Sequence, residues 1–271
     1  MAKVTLVPTP IGNLEDITLR ALRTLRETDV VAAEDTRHSG KLLAHFGIDK
    51  PLERLDAHTI SARAPALLER YAHIAFVTDA GTPGLSDPGA ELVALAVAGG
   101  HGLEVLPGPT ALIPALVLSG LPLARFTYEG FLPRKGSARR ERLADIARSA
   151  QTVAFYESPK RLAATLDDLV AACGPLRPAS VSRELTKHFE TTYRGTLQEV
   201  RDALPDEVKG ECVVVVGPAE AAEPTDFSVL AEKLSDSGLS GRELRDALTG
   251  AGAPRNVAYE LSLAQERDAV D

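Results

Sequence analysis

The segment Asp79-Ala80-Gly81-Thr82-Pro83-Gly84-Leu85-Ser86-Asp87-Pro88-Gly89 packs three glycines, two prolines and two aspartates into eleven residues. Glycine has no Cβ, so backbone N–H and C=O groups in such a loop can approach a ligand closely. Two shorter stretches have the same character: Pro8-Thr9-Pro10-Ile11-Gly12-Asn13-Leu14 and Leu106-Pro107-Gly108-Pro109-Thr110-Ala111. None of the three is a GxGxxG dinucleotide turn or a Gly-Lys-Ser/Thr phosphate loop. Each could be a tight structural turn. Together, at the tips of three strands of one sheet, they would line the edge where open α/β sheets bind ligands.

A second kind of corner is charged. Glu34-Asp35-Thr36-Arg37-His38 follows the apolar run Val30–Ala33. Asp35 suits a helix N-cap, while Glu34 and Arg37 could form an ion pair or serve chemistry. Phe155-Tyr156-Glu157-Ser158-Pro159-Lys160-Arg161 and Ser182-Arg183-Glu184-Leu185-Thr186-Lys187 repeat the pattern later in the chain. The six histidines show neither HExxH nor metal-ligand spacing, so no metal is expected. No Gly-x-Ser-x-Gly elbow is present, which disfavours a serine hydrolase. Cys173 and Cys212 are the only cysteines. They exclude a disulfide framework and read as small buried hydrophobes in a reduced cytoplasm.

These corners need elements to hold them. Apolar runs at Lys3–Val7, Asp29–Ala33, His73–Thr78 and Leu103–Leu106 predict buried strands. Thr18–Thr28, Thr36–Phe46, Ala62–Tyr71 and Pro88–Gly99 predict helices, the last with Pro88 in its first turn. The order β-α-β-α-β-α-β-α-β implies a mainly parallel sheet covered by helices. A hinge is expected at Leu118-Ser119-Gly120-Leu121-Pro122. Beyond it, strands at Phe126–Gly130, Thr152–Tyr156, Ala179–Ser182, Phe189–Gly195 and Glu211–Val216, with a helix at Lys160–Cys173, suggest a second α/β unit of mixed strand direction. After Pro218-Ala219-Glu220-Ala221-Ala222-Glu223-Pro224 come three short helical stretches, Phe227–Ser235, Gly241–Thr249 and Pro254–Ala264.

The chain has 271 residues and a formal net charge of −8. That balance argues against coating nucleic acid by bulk electrostatics. Arg125–Arg161 is the exception, with nine Lys/Arg against four Asp/Glu; it reads as a solvated helix start or a phosphate-contacting surface. The tail from Asp226 is acidic, which disfavours a DNA-reading helix-turn-helix. No basic stretch followed by an apolar core begins the sequence, and the longest apolar run, Ala111–Leu118, is eight residues, against roughly 20 for a membrane span. A cytoplasmic protein with no membrane or DNA partner is expected.

Seven blocks occur in an order that resembles the ribosomal RNA small subunit methyltransferase I family, a branch of the tetrapyrrole methylase superfamily. They are Thr5–Leu14, Ala32–Arg37, Thr78–Pro83, Leu106–Pro109, Tyr128–Pro133, Phe155–Pro159 and Arg183–Lys187. The resemblance spans about residues 3–217 and continues weakly into Pro254–Tyr259. It implies two α/β domains, 1–120 and 121–222, a helical extension at 223–271, and a homodimer. It also implies S-adenosylmethionine between the domains and methylation of a ribose 2′-hydroxyl at cytidine 1402 of 16S rRNA in the 30S subunit. Carried over block by block, the cofactor pocket would use Pro10, Gly12, Asp79, Ala80, Gly81, Pro109, Thr110, Ala111, Tyr156, Arg183, Glu184 and Leu185.

For catalysis the candidates are Glu34, Asp35 and His58 as base, with Arg37 orienting carboxylates or holding a phosphate. Arg134, Arg139, Arg140 and Lys160 would contact rRNA phosphates. The family's His-x-His-Asn-Glu-like stretch reads Asp56-Ala57-His58-Thr59-Ile60 here, so only its second histidine is kept. A tetrapyrrole substrate, or a non-catalytic rRNA-binding assembly factor, are the competing readings.

Overall fold

The computed structural model describes residues 1–220 and 226–268. Five strands, β1 (Lys3–Leu6), β2 (Val30–Ala33), β3 (Leu52–Arg54), β4 (His73–Val77) and β5 (Gly102–Val105), form a sheet of order β3-β2-β4-β1-β5. Every pairing is parallel. Such a sheet must be covered on both faces. Alternate side chains do this: Val4, Leu6, Val30, Ala32, Ile74 and Phe76 enter one core with α3 (Ile60–Arg70) and α4 (Ala90–Ala98). Val7, Val31, Ala33, Ala75 and Val77 enter another with α1 (Leu19–Glu27) and α2 (Thr36–His45).

Helix α4 starts two residues later than Pro88 predicts. Gly89, its N-cap, has φ +140°, and a Cβ there would lie 3.0 Å from the Gly84 nitrogen. Pro88 and Gly89 therefore belong to the loop, folded back against Gly84.

The apolar run at Ala111–Leu118 becomes helix α5 (Leu112–Ser119), closed by Gly120 in the left-handed conformation at φ +70°. It packs on the second sheet: Leu112, Ala115 and Leu116 join Ala154, Val213 and Val215. That sheet comprises β6 (Phe126–Phe131), β7 (Thr152–Glu157), β8 (Pro178–Arg183), β9 (Thr191–Thr196) and β10 (Cys212–Val216), ordered β6-β7-β10-β8-β9. β6 and β7 are parallel and the other pairs antiparallel. Its other face is covered by α6 (Ser137–Arg148), α7 (Pro159–Cys173) and α8 (Leu197–Asp202), through Leu143, Ile146, Leu162, Leu166, Leu169, Leu197 and Val200. The expected strand at Phe189–Gly195 begins only at Thr191. Cys212 is buried, Cys173 half-buried, and both are free thiols.

Residues 1–219 form one compact unit and Glu220–Asp271 another. Within the first, position 120 falls between the two sheets, although α5 on its N-terminal side packs against the second. The expected boundary at 222/223 lies outside the described residues. The second unit contains α9 (Phe227–Asp236), α10 (Gly241–Gly250) and α11 (Arg255–Asp268) around Ala231, Leu244, Leu248, Ala253 and Ala258. No described helix is long and apolar enough to cross a membrane.

Candidate functional site

The three Gly/Pro corners meet at the carboxyl edge of the first sheet. Thr9 and Gly81 exchange backbone hydrogen bonds, both at 2.9 Å. Thr82 Oγ1 donates to the Pro109 carbonyl at 2.9 Å. Gly81 can take φ +78° because it has no Cβ to clash. Above this edge, between the two sheets, lies a cavity of about 360 Å³, within the range for a small-molecule or cofactor site.

Its first-sheet wall is Ile11, Asp79–Thr82, Leu85–Asp87, Thr110 and Ala111. The second sheet contributes Phe131, Tyr156–Pro159, Leu185 and Glu211–Val213. Of the residues proposed for cofactor binding, Asp79, Ala80, Gly81, Thr110, Ala111, Tyr156 and Leu185 line it. Five others do not. Pro10 lines a neighbouring groove. Pro109 acts through its carbonyl on Thr82. Gly12 abuts the Leu185–Lys187 turn, where a Cβ would come 2.9 Å from Thr186 Oγ1 and 3.0 Å from the Leu185 carbonyl. Arg183 donates to the Lys209 carbonyl at 3.0 Å. Glu184 receives Lys187 Nζ at 2.9 Å and the Glu211 N–H at 3.2 Å.

The walls bind to one another through polar links. Ser86 and Tyr128 hydroxyls lie 2.6 Å apart, joining a first-sheet loop to β6. The Tyr128 and Tyr156 rings meet edge to face at 5.3 Å. Burial pushes both phenol groups above their ordinary pKa. Among the described residues, three non-glycine residues have positive φ: Ser86 (61°), Glu184 (51°) and Thr186 (66°). All three belong to this cavity's wall or to the turn carrying Leu185, so local strain is concentrated here.

The cavity is acidic. Among the described residues, Asp79, Asp87, Glu157 and Glu211 line it, and no Lys, Arg or His does. Glu157 is compensated, accepting from Thr165 Oγ1 at 2.7 Å and the Ser158 N–H at 2.8 Å, with Arg161 at 3.3 Å. Asp87 has no hydrogen-bond or ion-pair partner among the described residues. Burial, then the charges of Glu34, Asp79 and Glu211, raise its pKa to about 7. Burial likewise raises Glu34, whose Oε2 accepts the Asp79 N–H at 3.4 Å. A site of this charge suits a cation, and the aromatic faces of Phe131 and Tyr156 add to that fit. S-adenosylmethionine, with its sulfonium and ammonium groups and a flat adenine, fits this set of donors and walls.

The catalytic candidates are not all brought together. Glu34 sits beside Asp79. Asp35 caps α2 and is clamped by its own neighbour: Arg37 Nη2 donates to Oδ2 at 2.8 Å and Nε to Oδ1 at 3.2 Å. These bonds hold the Asp35 carboxyl well below its usual pKa. Arg37 therefore pairs with Asp35 rather than Glu34. His58 is exposed on the loop after β3, where its backbone N–H donates to Asp56; it lines no cavity described here. Among the phosphate candidates, Arg134, Arg140 and Lys160 are exposed, and Lys160 follows the lining residue Pro159. Arg139 is turned inward. Its guanidinium donates to Asp168 at 2.7 and 2.9 Å, Thr165 at 3.0 Å and the Pro133 carbonyl at 3.0 Å, so its charge is spent on the scaffold.

Asp87, Ser86, Glu157 and Glu211 were not singled out from the sequence as site residues. For Asp87 a signal existed, since it lies in the Gly/Pro loop with Asp79. For Glu211 none did.

Residues 3–201 match the family model for tetrapyrrole (corrin/porphyrin) methylases. The chain is 45% identical over 267 residues to ribosomal RNA small subunit methyltransferase I of Xylella fastidiosa, covering 94% of this chain and 96% of the relative. It is 43% identical to that of Synechocystis sp., covering 99% and 100%, and 42% identical to that of Escherichia coli O157:H7, covering 96% and 94%. Among solved structures it shares its fold with uroporphyrin-III C-methyltransferase from Thermus thermophilus (TM-score 0.56, 24% identity, 80% of this chain and 93% of that one). The fold is also that of a diphthine synthase (TM-score 0.61, 16% identity, 80% and 90%).

Proposed function

The chain belongs to the tetrapyrrole methylase family, in the branch named ribosomal RNA small subunit methyltransferase I, and we propose that it methylates the 2′-hydroxyl of a cytidine in 16S rRNA with S-adenosylmethionine as donor. The substrate is the 30S particle, the site of action the cytoplasm, and the working form a homodimer. The observation that carries the reading is the acidic cavity between the sheets, free of basic residues and walled by the corners that the family blocks occupy. Full-length identity to the rRNA-modifying relatives favours RNA over a macrocyclic substrate. One relative of the fold, the Thermus thermophilus uroporphyrin-III C-methyltransferase, has been solved with S-adenyl homocysteine, which supports a donor of this type.

When bound, the donor supplies an electrophilic methyl group on a sulfonium. The protein's part would be mostly positioning, holding the acceptor ribose against the bound donor so that transfer becomes effectively unimolecular. Asp79, which lines the cavity with the Ala80–Thr82 corner, would hold the cationic end. Phe131, Tyr156, Leu185 and Ile11 exclude water. The ribose hydroxyl is a weak acid, so a carboxylate that accepts its proton helps by perhaps 10²–10⁴-fold. Glu34, next to Asp79 and raised in pKa by burial, suits that role better than Asp35, which is occupied by Arg37. Arg37 holds the acceptor's phosphate near the site, and Arg134, Arg140 and Lys160 add phosphate contacts.

The test is transfer of a tritiated methyl group to 30S subunits isolated from a strain lacking this gene, with the modified nucleotide mapped. Label on a ribose of 16S rRNA is the expected result. Donor binding without transfer to RNA would favour the assembly-factor or macrocycle readings.

A further inference from the structure

Beside the acidic cavity runs a second, more open groove of about 250 Å³, lined by Thr9, Pro10, Leu14, His38, Lys41, Leu42, His45 and Asp79. Asp79 belongs to both. The two hollows differ in charge. The first has four acidic residues and no basic one; the second has a lysine, two histidines and the shared aspartate.

The basic residues are grouped by helix geometry. His38, Lys41 and His45 are spaced i, i+3, i+7 on α2, which puts them on one face. All three are exposed. Among the described residues, the Lys41 ammonium and the two imidazoles have no hydrogen-bond or ion-pair partner; His45 makes only an edge contact with Phe46. Several other basic side chains in the first sheet's layer are engaged: Lys3 and Arg20 with Glu104, Arg54 with Asp56, Arg63 with Glu53. A row of unspent donors on one helix face, opening at Asp79 onto the methyl-donor cavity, is a seat for a polyanion whose reacting group must reach that junction.

We infer that the His38–Lys41–His45 face of α2 binds the phosphodiester backbone of the single RNA strand carrying the acceptor ribose. This rests on the RNA-methylation reading above. Lys41 supplies a point charge and the imidazoles supply N–H donors to phosphate oxygens, while Thr9 and Pro10 form the opposite wall. The groove is thus a binding element for the substrate strand and takes no part in holding the donor.

The test uses the full chain and the variants Lys41→Glu, His38→Ala/His45→Ala, and Arg70→Glu. Arg70, exposed on α3 across the sheet from α2, controls for net charge. Three experiments are run: calorimetry for S-adenosylhomocysteine affinity, steady-state kinetics for KM and kcat on unmethylated 30S subunits across a salt series, and anisotropy of a fluorescein-labelled single-stranded RNA with S-adenosylhomocysteine present. Lys41→Glu is expected to leave donor-product affinity unchanged, to raise KM about ten-fold or more, and to reduce the slope of log affinity against log salt by about one. The double histidine variant should shift KM in the same direction, and Arg70→Glu should not. If the wild type methylates 30S and Lys41→Glu matches it in KM and salt slope, the groove assignment is overturned and the activity stands. If the wild type does not methylate 30S but Lys41→Glu weakens RNA binding, the groove stands and the activity reading falls. Absence of both transfer and RNA binding in the wild type overturns both.

Discussion

Gly12, in the corner after β1, and Thr186, in the turn after β8, are packed so that a Cβ on Gly12 would lie 2.9 Å from Thr186 Oγ1. The pair fastens the first-sheet edge to the turn that delivers Leu185 to the cavity. Thr186 is held at φ +66° with its hydroxyl buried and, among the described residues, unpartnered, so the turn is already strained. Gly12→Ala forces it away. The expected result is a stability loss of about 1–3 kcal/mol, typical of overpacking, together with weaker donor binding. Urea denaturation and calorimetry check the two effects; unchanged donor affinity would mean that Leu185's position does not matter to the site.

Asp87 gives the site a pH dependence whose sign follows from its environment. Its pKa is raised to about 7 in the folded protein from 3.8. Between those values the native state holds more protons than the unfolded chain, so stability falls as pH rises through this window. Donor affinity should move the opposite way, because a cation prefers the ionised carboxylate: binding tightens as pH rises through about 7. Asp87→Asn should flatten both profiles and weaken binding at pH 8. A wild-type donor affinity that stays level from pH 6 to 8 would remove Asp87 from donor recognition.

Asp79 and Arg37 divide the labour. Asp79→Ala should mainly weaken donor binding, since Asp79 lines the donor cavity. Arg37 is exposed and, among the described residues, its side chain is tied only to Asp35, so Arg37→Ala should lower turnover on 30S subunits while sparing donor affinity. Calorimetric titration of both variants decides this, and equal losses of affinity would defeat the division.

Arg139 and its exposed neighbours should also separate. Arg139→Ala removes charge-assisted bonds to Asp168 and a bond to Thr165, and is expected to cost about 1–2 kcal/mol in chemical denaturation. Arg134→Glu, Arg140→Glu and Lys160→Glu should leave the denaturation midpoint in place. They should lower affinity for 30S subunits most at low salt, where phosphate contacts contribute most, and so flatten its dependence on salt.

Much of this protein can be read locally. The apolar runs at Val30–Ala33 and His73–Val77 announce strands buried on both faces, because burial demands a continuous apolar run. The Gly/Pro corners announce themselves because only those residues permit such turns, and their order carries the family resemblance. The same local logic overreached at Pro88, where Gly89's contact with Gly84 outweighs the helix-start signal, and it did not register α5, whose apolar side chains have a periodicity that shows only once a sheet lies beneath them.

What depended on three-dimensional proximity was the fate of individual charges. Arg139 and Arg140 are adjacent and alike in sequence, yet one faces Asp168 and the other solvent. Asp87 acquires its raised pKa first from burial and then from Glu34, Asp79 and Glu211, residues 53, 8 and 124 positions away, and the acidic cavity and the basic groove share Asp79 although their other charges come from separate segments. Turn chemistry and hydrophobic period act between near neighbours along the chain. Electrostatic environment sums over whatever the fold draws close, and that sum has no signature in the order of the residues.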